Sequence, residues 1–138
     1  MSRKNISSGA PWEEIVGYSR AVRSGKHVFV TGTIGLAEDG SVAFPGDAGA
    51  QAKRALEIIS AALEEAGAKL SEVVRTRMYV TNINDWQAVG KAHGGVFGEI
   101  MPATTLVEVS GLIDPAALVE IEADAIIGAS LERLSETN

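Results

Sequence analysis

Residues 102–127 read PATTLVEVSGLIDPAALVEIEADAII, and this stretch decides the predicted fold. Polar and apolar side chains alternate strictly in both halves, which predicts two half-buried strands. Gly111 and the Asp114-Pro115 pair supply the chemistry of a turn between the strands. One side of the two strands carries the acids Glu108, Glu120, Glu122 and Asp124. Because like charges on neighbouring strands repel each other, we expect cations, water or a ligand on this face.

The most strand-like run is residues 72–82, EVVRTRMYVTN, and it carries cations that suit the acidic face. Its predicted core side consists of Val74, Thr76, Met78 and Val80. Arg75, Arg77 and Tyr79 occupy the other side, where the two arginines are natural partners for the acids of the last two strands. Cross-strand pairs of this kind contribute about 0.2–1 kcal/mol each. Most ion pairs on sheets are structural, so we assign these arginines a structural role.

Residues 47–67 predict an amphipathic helix that covers the sheet. Asp47 is a plausible N-cap, and Gly67 suits the position just beyond the last turn. Apolar residues with helical spacing form one side: Ala52, Ala55, Leu56, Ile59, Ala62, Leu63 and Ala66. The opposite side is polar and includes Arg54. Packing explains this helix, and the pattern assigns it no chemistry.

A second helix begins at Asn84 or Asp85 and has an unusual content of glycine. Its predicted apolar stripe is Trp86, Val89, His93, Val96, Phe97 and Ile100. Glycines recur every four residues at positions 90, 94 and 98, with Gly95 beside them, and each costs about 0.5–1 kcal/mol relative to alanine. They indicate either the close approach of a backbone or ligand, or simply a weak helix. His93 is interpreted as a core histidine, with a catalytic base as the alternative.

The remaining segments complete a single domain over residues 1–138. Residues 1–15 are predicted to be a loose N-terminal arm, and residues 129–138 a C-terminal tail. Residues 17–22 and 27–33 predict two strands joined by a turn at 24–26, and residues 35–46 predict a loop. The predicted order is β-β-α-β-α-β-β, with two helices on one face of a mixed sheet in the α+β class.

Composition excludes several classes of function. The chain has 138 residues, 46% of them hydrophobic, with a net charge of −6. This charge argues against a nucleic-acid partner, because phosphate binding needs clustered Lys and Arg. There is no cysteine and there are two histidines, so we predict no thiolate chemistry, no metal and no cofactor. No apolar run resembles a signal peptide or a membrane span, so we expect no membrane partner and a cytoplasmic location.

Several blocks of the chain resemble one known family. PAxxxVEV followed by a turn and VEIEA resembles the C-terminal signature of the RidA family, also called YjgF/YER057c/UK114. The blocks VGYSRAV, HVFVTGTIG and AQAKRALEIISAALEEAGAKLSEVVRTRMYVTNINDW extend the resemblance over residues 12–127. It implies a chorismate-mutase-like fold and a homotrimer with the sheets facing inward and ligand clefts between subunits. It also implies hydrolysis of reactive imines and enamines to keto acids and ammonia.

The resemblance also implies roles for individual residues. Glu120 opens the family's final E-I-E motif and is expected to position water. Tyr18 matches the tyrosine of a GPY-like block and is expected to form a pocket wall. Thr33, after Thr31-Gly32, stands where the family often has glutamine, and Gly90 stands where it often has asparagine. Thr104 stands where the family's catalytic arginine is expected, since this chain reads Pro102-Ala103-Thr104-Thr105.

Because threonine stands at that arginine position, the chain resembles the arginine-lacking branches of the family. A threonine can hydrogen-bond a carboxylate but cannot neutralise it, and a charge-assisted hydrogen bond contributes about 1.5–3 kcal/mol. One hypothesis is that Arg20, on the same predicted strand face as Tyr18, replaces the missing cation. The structural alternative, which we favour, is a surface or interface arginine paired with an acid. A second hypothesis is a neutral or less acidic ligand in a pocket defined by Thr33, Thr104 and Gly90.

Two functions follow for the predicted protein. It binds a small metabolite in an intersubunit cleft, where as an enzyme it would be a deaminase-type hydrolase of an imine or enamine with Glu120 as the catalytic residue. The alternative is a non-catalytic metabolite sensor or carrier with the same cleft. A nuclease activity is disfavoured by the negative net charge of the chain and by the lack of a basic and aromatic patch in its sequence.

Overall fold

The chain folds around one mixed sheet of six strands. The structure is a computed structural model and describes residues 2–130, so residues 131–138 of the predicted tail lie outside it. The strands are β1 (Arg3–Ile6), β2 (Ala21–Ser24), β3 (His27–Thr33), β4 (Val73–Val80), β5 (Ala103–Glu108) and β6 (Val119–Ile126). Their order across the sheet is β1-β2-β3-β6-β4-β5. The β4–β5 pair is parallel and the other pairs are antiparallel.

Three α-helices connect these strands, and two of them confirm predicted elements. They are α1 (Pro11–Val16), α2 (Ala48–Glu65) and α3 (Trp86–Phe97), with short 3-10 turns at Leu70–Glu72 and Ile83–Asp85. The Asp47 carboxylate accepts a hydrogen bond from the Ala50 N–H at 3.0 Å, which confirms the predicted N-cap of α2. Gly67 follows the C-cap with φ of 88°. No helix within residues 2–130 combines the length and apolar character needed to span a bilayer.

The core lies between one face of the sheet and the helices α2 and α3. Strand β6 contributes Val119, Ile121, Ala123 and Ala125, which are all buried. The α2 side chains Leu56, Ile59 and Leu63, and the α3 side chains Val89 and Phe97, belong to the same cluster. The intervening β6 residues are Glu120, Glu122 and Asp124, which therefore lie on the opposite face. We call that opposite side the open face of the sheet.

The last two strands do not pair with each other, because β4 lies between them. A parallel β4–β5 pair needs a crossover connection, which α3 supplies, so β5 is placed at the edge of the sheet. The expected crowding of Glu108 against the acids of β6 is therefore wrong. The Glu108 carboxylate instead accepts a hydrogen bond from the Ile83 N–H at 2.9 Å.

The open face holds the predicted pairing of Arg77, whereas Arg75 forms no ion pair with an acid among residues 2–130, and not every predicted side of β4 is correct. The Arg77 guanidinium lies 3.1 Å from Asp124 and 3.6 Å from Glu122, which confirms its pairing with the acids of β6. Val74 was expected in the core, but Val73 is buried instead. The β4–β6 register shifts between Val73 and Arg75, and such a bulge moves the preceding residue to the other face.

The N-terminal segment differs from the predicted loose arm. Strand β1 pairs with β2, from Arg3 opposite Ser24 to Ile6 opposite Ala21, and the Ile6 side chain is buried. Helix α1 follows and ends at Gly17, which has φ of 88°. Because backbone hydrogen bonds to a sheet edge do not depend on side-chain polarity, a polar sequence such as Arg3–Ile6 can form a strand. Residues 17–20, predicted as part of a strand, precede β2.

Candidate functional site

One cavity of about 320 Å³ collects most of the predicted site residues. It lies between the N-terminal segment around residues 8–12, the end of β3, the loop after β3 and one side of α2. Tyr18, Arg20, Thr33 and Glu120 all line it. Further walls come from Trp12, Gly32, Leu36, Arg54, Ile58 and Ile113. The structure thus brings together residues from four parts of the chain: the N-terminal segment, the end of β3 with its loop, α2, and residues 113–120.

Arg20 is buried at one wall of this cavity and is held by several acceptors. One terminal nitrogen, Nη1, donates to the Gly32 carbonyl at 2.9 Å and to Thr33 Oγ1 at 3.0 Å. The other, Nη2, donates to the Tyr18 hydroxyl at 3.4 Å, and Nε donates to Ser8 Oγ at 3.4 Å. The guanidinium therefore lines the cavity with most of its donors already engaged by the protein.

The charge of Arg20 is balanced by Glu13 of α1, whose carboxylate lies 3.9 Å away. Burial alone would raise the pKa of Glu13, but hydrogen bonds from Ser8 and Ser7 hold that pKa below its usual range. The Ser7 hydroxyl donates at 3.0 Å and the Ala10 N–H at 3.2 Å. Sequence reasoning missed Glu13. Its signal was Pro11 in the first helical position with Glu13 two residues later, a typical helix start.

Glu120 enters the cavity through an irregularity in the sheet. The β3–β6 register shifts between Val30 and Thr33, and Gly32 lies within that shift. A Cβ atom at Gly32 would lie 2.6 Å from Glu120 Oε2, so the missing side chain leaves the room that this carboxyl occupies. Among residues 2–130, no group donates a hydrogen bond to the Glu120 carboxyl.

The environment of Glu120 raises the pKa of its carboxyl above the ordinary value. Burial raises the pKa of Glu120, the charge of Glu122 raises it further, and Arg20 acts in the opposite direction. A carboxyl whose oxygens accept no hydrogen bond from residues 2–130 is able to orient a water molecule, and a raised pKa makes its carboxylate a stronger base toward that water. This arrangement is the chemical feature of the cavity.

The structure places Thr104 away from the cavity, on the helix side of the sheet. Thr104 Oγ1 hydrogen-bonds to Thr76 Oγ1, and His93 Nε2 lies 2.8 Å from Thr76 Oγ1 and 3.4 Å from Thr104 Oγ1. Thr76 is opposite both Thr104 and Ala123, and Ala123 faces the core. Glu120 faces the other side, and β4 separates it from Thr104.

His93 has the environment that the core interpretation predicts. It is buried, its ring centroid lies 4.6 Å from that of Phe97, and burial lowers its pKa. The glycines of α3 have no equivalent explanation within the chain. Apart from the adjacent residues and the nearby backbone of α3 itself, a Cβ atom at Gly90, Gly94 or Gly95 would meet no described atom within 4 Å. No other element within residues 2–130 therefore approaches these three positions closely.

Arg54 is a cavity residue that the sequence pattern assigned to the polar side of a packing helix. It lies on α2, is half-buried, and its Nε donates to the Leu36 carbonyl at 2.7 Å. Helical periodicity separates a buried side from a polar side but cannot show that a loop folds back over the polar one. The loop after β3 does this here.

Comparisons with known proteins agree with this architecture. Residues 9–127 match the family described as Endoribonuclease L-PSP. The crystal structure of Rv2704 from Mycobacterium tuberculosis, described as a member of the YjgF/YER057c/UK114 family, is 51% identical to this chain with a TM-score of 0.83. The match covers 91% of this chain and 100% of that one. It supports the predicted α+β, chorismate-mutase-like fold.

Two further relatives extend the comparison. The uncharacterized protein SCO2049 of Streptomyces coelicolor is 39% identical over 126 residues, which cover 91% of this chain and 93% of that protein. Escherichia coli TdcF, whose structure was solved with bound serine, is 25% identical with a TM-score of 0.74. That match covers 88% of this chain and 92% of TdcF.

Proposed function

Because this chain belongs to the YjgF/YER057c/UK114 family, we propose that it binds a small metabolite in the cavity beside Glu120 and hydrolyses an imine or enamine there. The observation that carries this proposal is the Glu120 carboxyl, which faces the cavity with a raised pKa and unoccupied oxygens. Small-molecule sites of this kind are concave and mostly apolar, with a few converging polar groups. The bound serine in TdcF supports a small ligand of similar size.

The proposed reaction adds water to a carbon–nitrogen double bond. A water oxygen attacks the imine carbon while Glu120 accepts one of its protons and delivers it to the nitrogen, which gives a carbinolamine. Glu120 then transfers the hydroxyl proton of the carbinolamine to the nitrogen. The carbon–nitrogen bond breaks as the carbonyl forms, and a keto compound and ammonia leave. A carboxylate with a raised pKa suits this role because it is a stronger base toward water than an ordinary glutamate. An enamine enters the same sequence after protonation at carbon.

Tyr18 and Thr33 have supporting roles in this proposal. The Tyr18 hydroxyl accepts a hydrogen bond from Arg20, so its own proton is available to a ligand in the cavity. Thr33 Oγ1 accepts from Arg20 and donates to the Thr31 carbonyl at 2.7 Å. Thr33 therefore holds the shape of the strand end, and Tyr18 is the residue that we expect to contact the ligand.

We also propose that the complete cleft lies between subunits of a homotrimer. Thr104 and Gly90 do not join the cavity within one chain, so a second copy would have to bring them to it. The open face offers a contact surface, because Phe29 opposite Asp124 and Val107 opposite Tyr79 are exposed on it. Analytical ultracentrifugation tests this directly. A monomer at micromolar concentration would exclude the shared cleft.

A non-catalytic sensor or carrier is the second candidate, and Thr104 favours it. Thr104 occupies the position expected for the family's arginine, and its hydroxyl is bonded to Thr76 within the chain. A ligand that reaches this position finds no cation there. A ribonuclease activity is not proposed, because the net charge is −6 and phosphate binding depends on clustered Lys and Arg.

The deciding experiment measures keto-acid release from imines that an amino-acid oxidase generates in situ. We expect the protein to accelerate release and Glu120→Ala to reduce that acceleration by about 10²–10⁴-fold, the usual contribution of general acid–base catalysis. Glu108→Ala is the matched control, because Glu108 is an exposed acid outside the cavity. If the natural protein is inert while Thr104→Arg gains activity, the sensor or carrier replaces the enzyme as the conclusion.

A further inference from the structure

Arg54 has donors that no group within residues 2–130 uses. Its Nε is fixed by the Leu36 carbonyl at 2.7 Å, and Arg54 lines the cavity. Among residues 2–130, neither terminal nitrogen of Arg54 has a hydrogen-bond acceptor, and no acid lies within 4.0 Å of it. The side chain is thus oriented at one end and unpartnered at the other.

Arg54 differs in this respect from Arg20, the second arginine of the cavity. Arg20 is bonded to Gly32, Thr33, Tyr18 and Ser8, and Glu13 balances its charge. Two acids, Glu38 and Glu120, also line the cavity, but neither forms an ion pair with Arg54. Arg54 is therefore the cation of the cavity whose charge is not balanced by a direct partner among the described residues.

The fixed orientation of Arg54 suits one kind of ligand. A guanidinium held at Nε presents its two terminal nitrogens as a planar fork, and this fork matches the two oxygens of a carboxylate. The neighbouring walls are apolar, since Trp12, Ile58 and Ile113 line the same cavity. A carboxylate bound to Arg54 would therefore have its carbon chain beside these three side chains.

We infer that Arg54 is the anion anchor of this cavity and that its ligand is a small monocarboxylate with an apolar chain. The inference rests on the proposed function, because it uses the same cavity. It assigns the ligand a cation on α2, at a position different from Thr104 on β5. It also makes Arg54 a specificity-determining residue, since a neutral analogue of the same shape would lose the charged contact.

The test uses the fluorescence of Trp12, which lines the cavity. The chain has two tryptophans, and the other, Trp86, is exposed, so a Trp86→Phe background leaves Trp12 as the single reporter. The probes are 4-methyl-2-oxopentanoate and its methyl ester, which have the same carbon chain but differ in charge. Titrations compare the background protein with Arg54→Gln, Arg54→Lys and Lys53→Gln.

We expect Arg54→Gln to weaken binding of the carboxylate about ten- to a hundredfold, because a charge-assisted bond is lost. Binding of the ester should not change. The affinity of Arg54→Lys for the carboxylate should lie between those of the background protein and Arg54→Gln, because lysine keeps the charge but not the planar fork. Lys53→Gln removes the same charge from the exposed neighbouring position on α2 and should bind both probes as the background protein does.

Each other outcome overturns the inference and leaves the proposed function separately testable. If Arg54→Gln binds the carboxylate as the background protein does, Arg54 is not the anchor, although the cavity still binds the ligand. An equal loss for carboxylate and ester assigns Arg54 a purely structural role through Leu36. If the background protein binds neither probe, the inference also fails, and the imine assay alone decides the proposed function.

Discussion

Residues 2–130 contain two networks of arginine and carboxylate side chains that differ mainly in burial. The Arg20 cluster consists of Ser8, Glu13, Tyr18, Arg20 and Thr33 beside the cavity. The Arg77 cluster consists of Arg77, Tyr79, Glu122 and Asp124 on the open face. The Arg20–Glu13 distance is 3.9 Å with both side chains 7% exposed, whereas Arg77–Asp124 is 3.1 Å with side chains 38% and 28% exposed.

Distance alone would rank the Arg77 pair as the more important one. Burial reverses this order, because water screens an exposed pair and such pairs contribute about 0–1 kcal/mol. Removing one partner of a buried pair costs about 3–5 kcal/mol, since the other charge is left without compensation. The comparison shows that the Arg20 cluster holds the N-terminal segment in place, whereas the Arg77 cluster contributes little to folding of the single chain.

The largest expected effect comes from Arg20→Ala. The substitution leaves the Glu13 carboxylate buried without its cation. It also removes the hydrogen bonds that Arg20 donates to Ser8, Gly32 and Thr33. We expect the free energy of unfolding to fall by about 3 kcal/mol, measured by urea denaturation. The double variant Glu13→Gln/Arg20→Met should lose less unfolding free energy than Arg20→Ala, because it buries no unpaired charge. A double variant as unstable as Arg20→Ala would contradict this explanation.

An effect of intermediate size is expected from a substitution of Glu120, whose pKa is raised by burial and by Glu122 and lowered by Arg20. The pKa of Glu120 is raised in the folded chain, chiefly by burial. Between the pKa of the unfolded chain, about 4.3, and the higher folded value, the native state binds more protons, so the free energy of unfolding falls as pH rises. Above the pKa of the folded chain, the ionisation of Glu120 no longer changes the free energy of unfolding with pH.

Glu120→Gln should therefore be more stable than the natural protein at pH 7, and the difference should disappear near about pH 4. Urea denaturation at a series of pH values measures it, with Glu108→Gln as the exposed control. A stability difference that stays constant across this range would show that ionisation of Glu120 is not its cause.

The smallest effect is expected for Arg77→Ala. Arg77 pairs with two acids, but these side chains are 28–38% exposed, so the loss should be within about 1 kcal/mol of unfolding free energy. The measurement is made on dilute protein and repeated at high salt, where the contribution should shrink further. A loss as large as that of Arg20→Ala would mean that the open face is buried against another copy.

Local chemistry accounts for the parts of the fold that the sequence predicted. Asp47 and Gly67 mark the ends of α2 because capping depends on adjacent residues only. The insertion of β4 between β5 and β6 could not be predicted in this way, since strand order depends on contacts between distant segments. The bulge that buries Val73 in place of Val74 could not be predicted either, because a strict alternation of polar and apolar residues does not mark a bulge.

The candidate site was predicted in part for the same reasons. The resemblance selected Tyr18, Thr33 and Glu120, which the structure places around one cavity. Glu13 and Arg54 were missed, because each gains its position from a segment that folds over it. For Glu13 these are residues 7–10, and for Arg54 it is the loop at Leu36. Thr104 faces a different side, because a motif in sequence does not fix the face of an edge strand.

Strand β1 gives the cavity a kinetic property. It is an outermost strand of four residues, three of them exposed, and it pairs only with β2 among the described strands. Short edge elements open with a smaller free energy than central strands such as β4 and β6. Because β1 leads directly into residues 8–12, which line the cavity, we expect ligand exchange to require only that residues 2–16 detach, while the central strands stay folded.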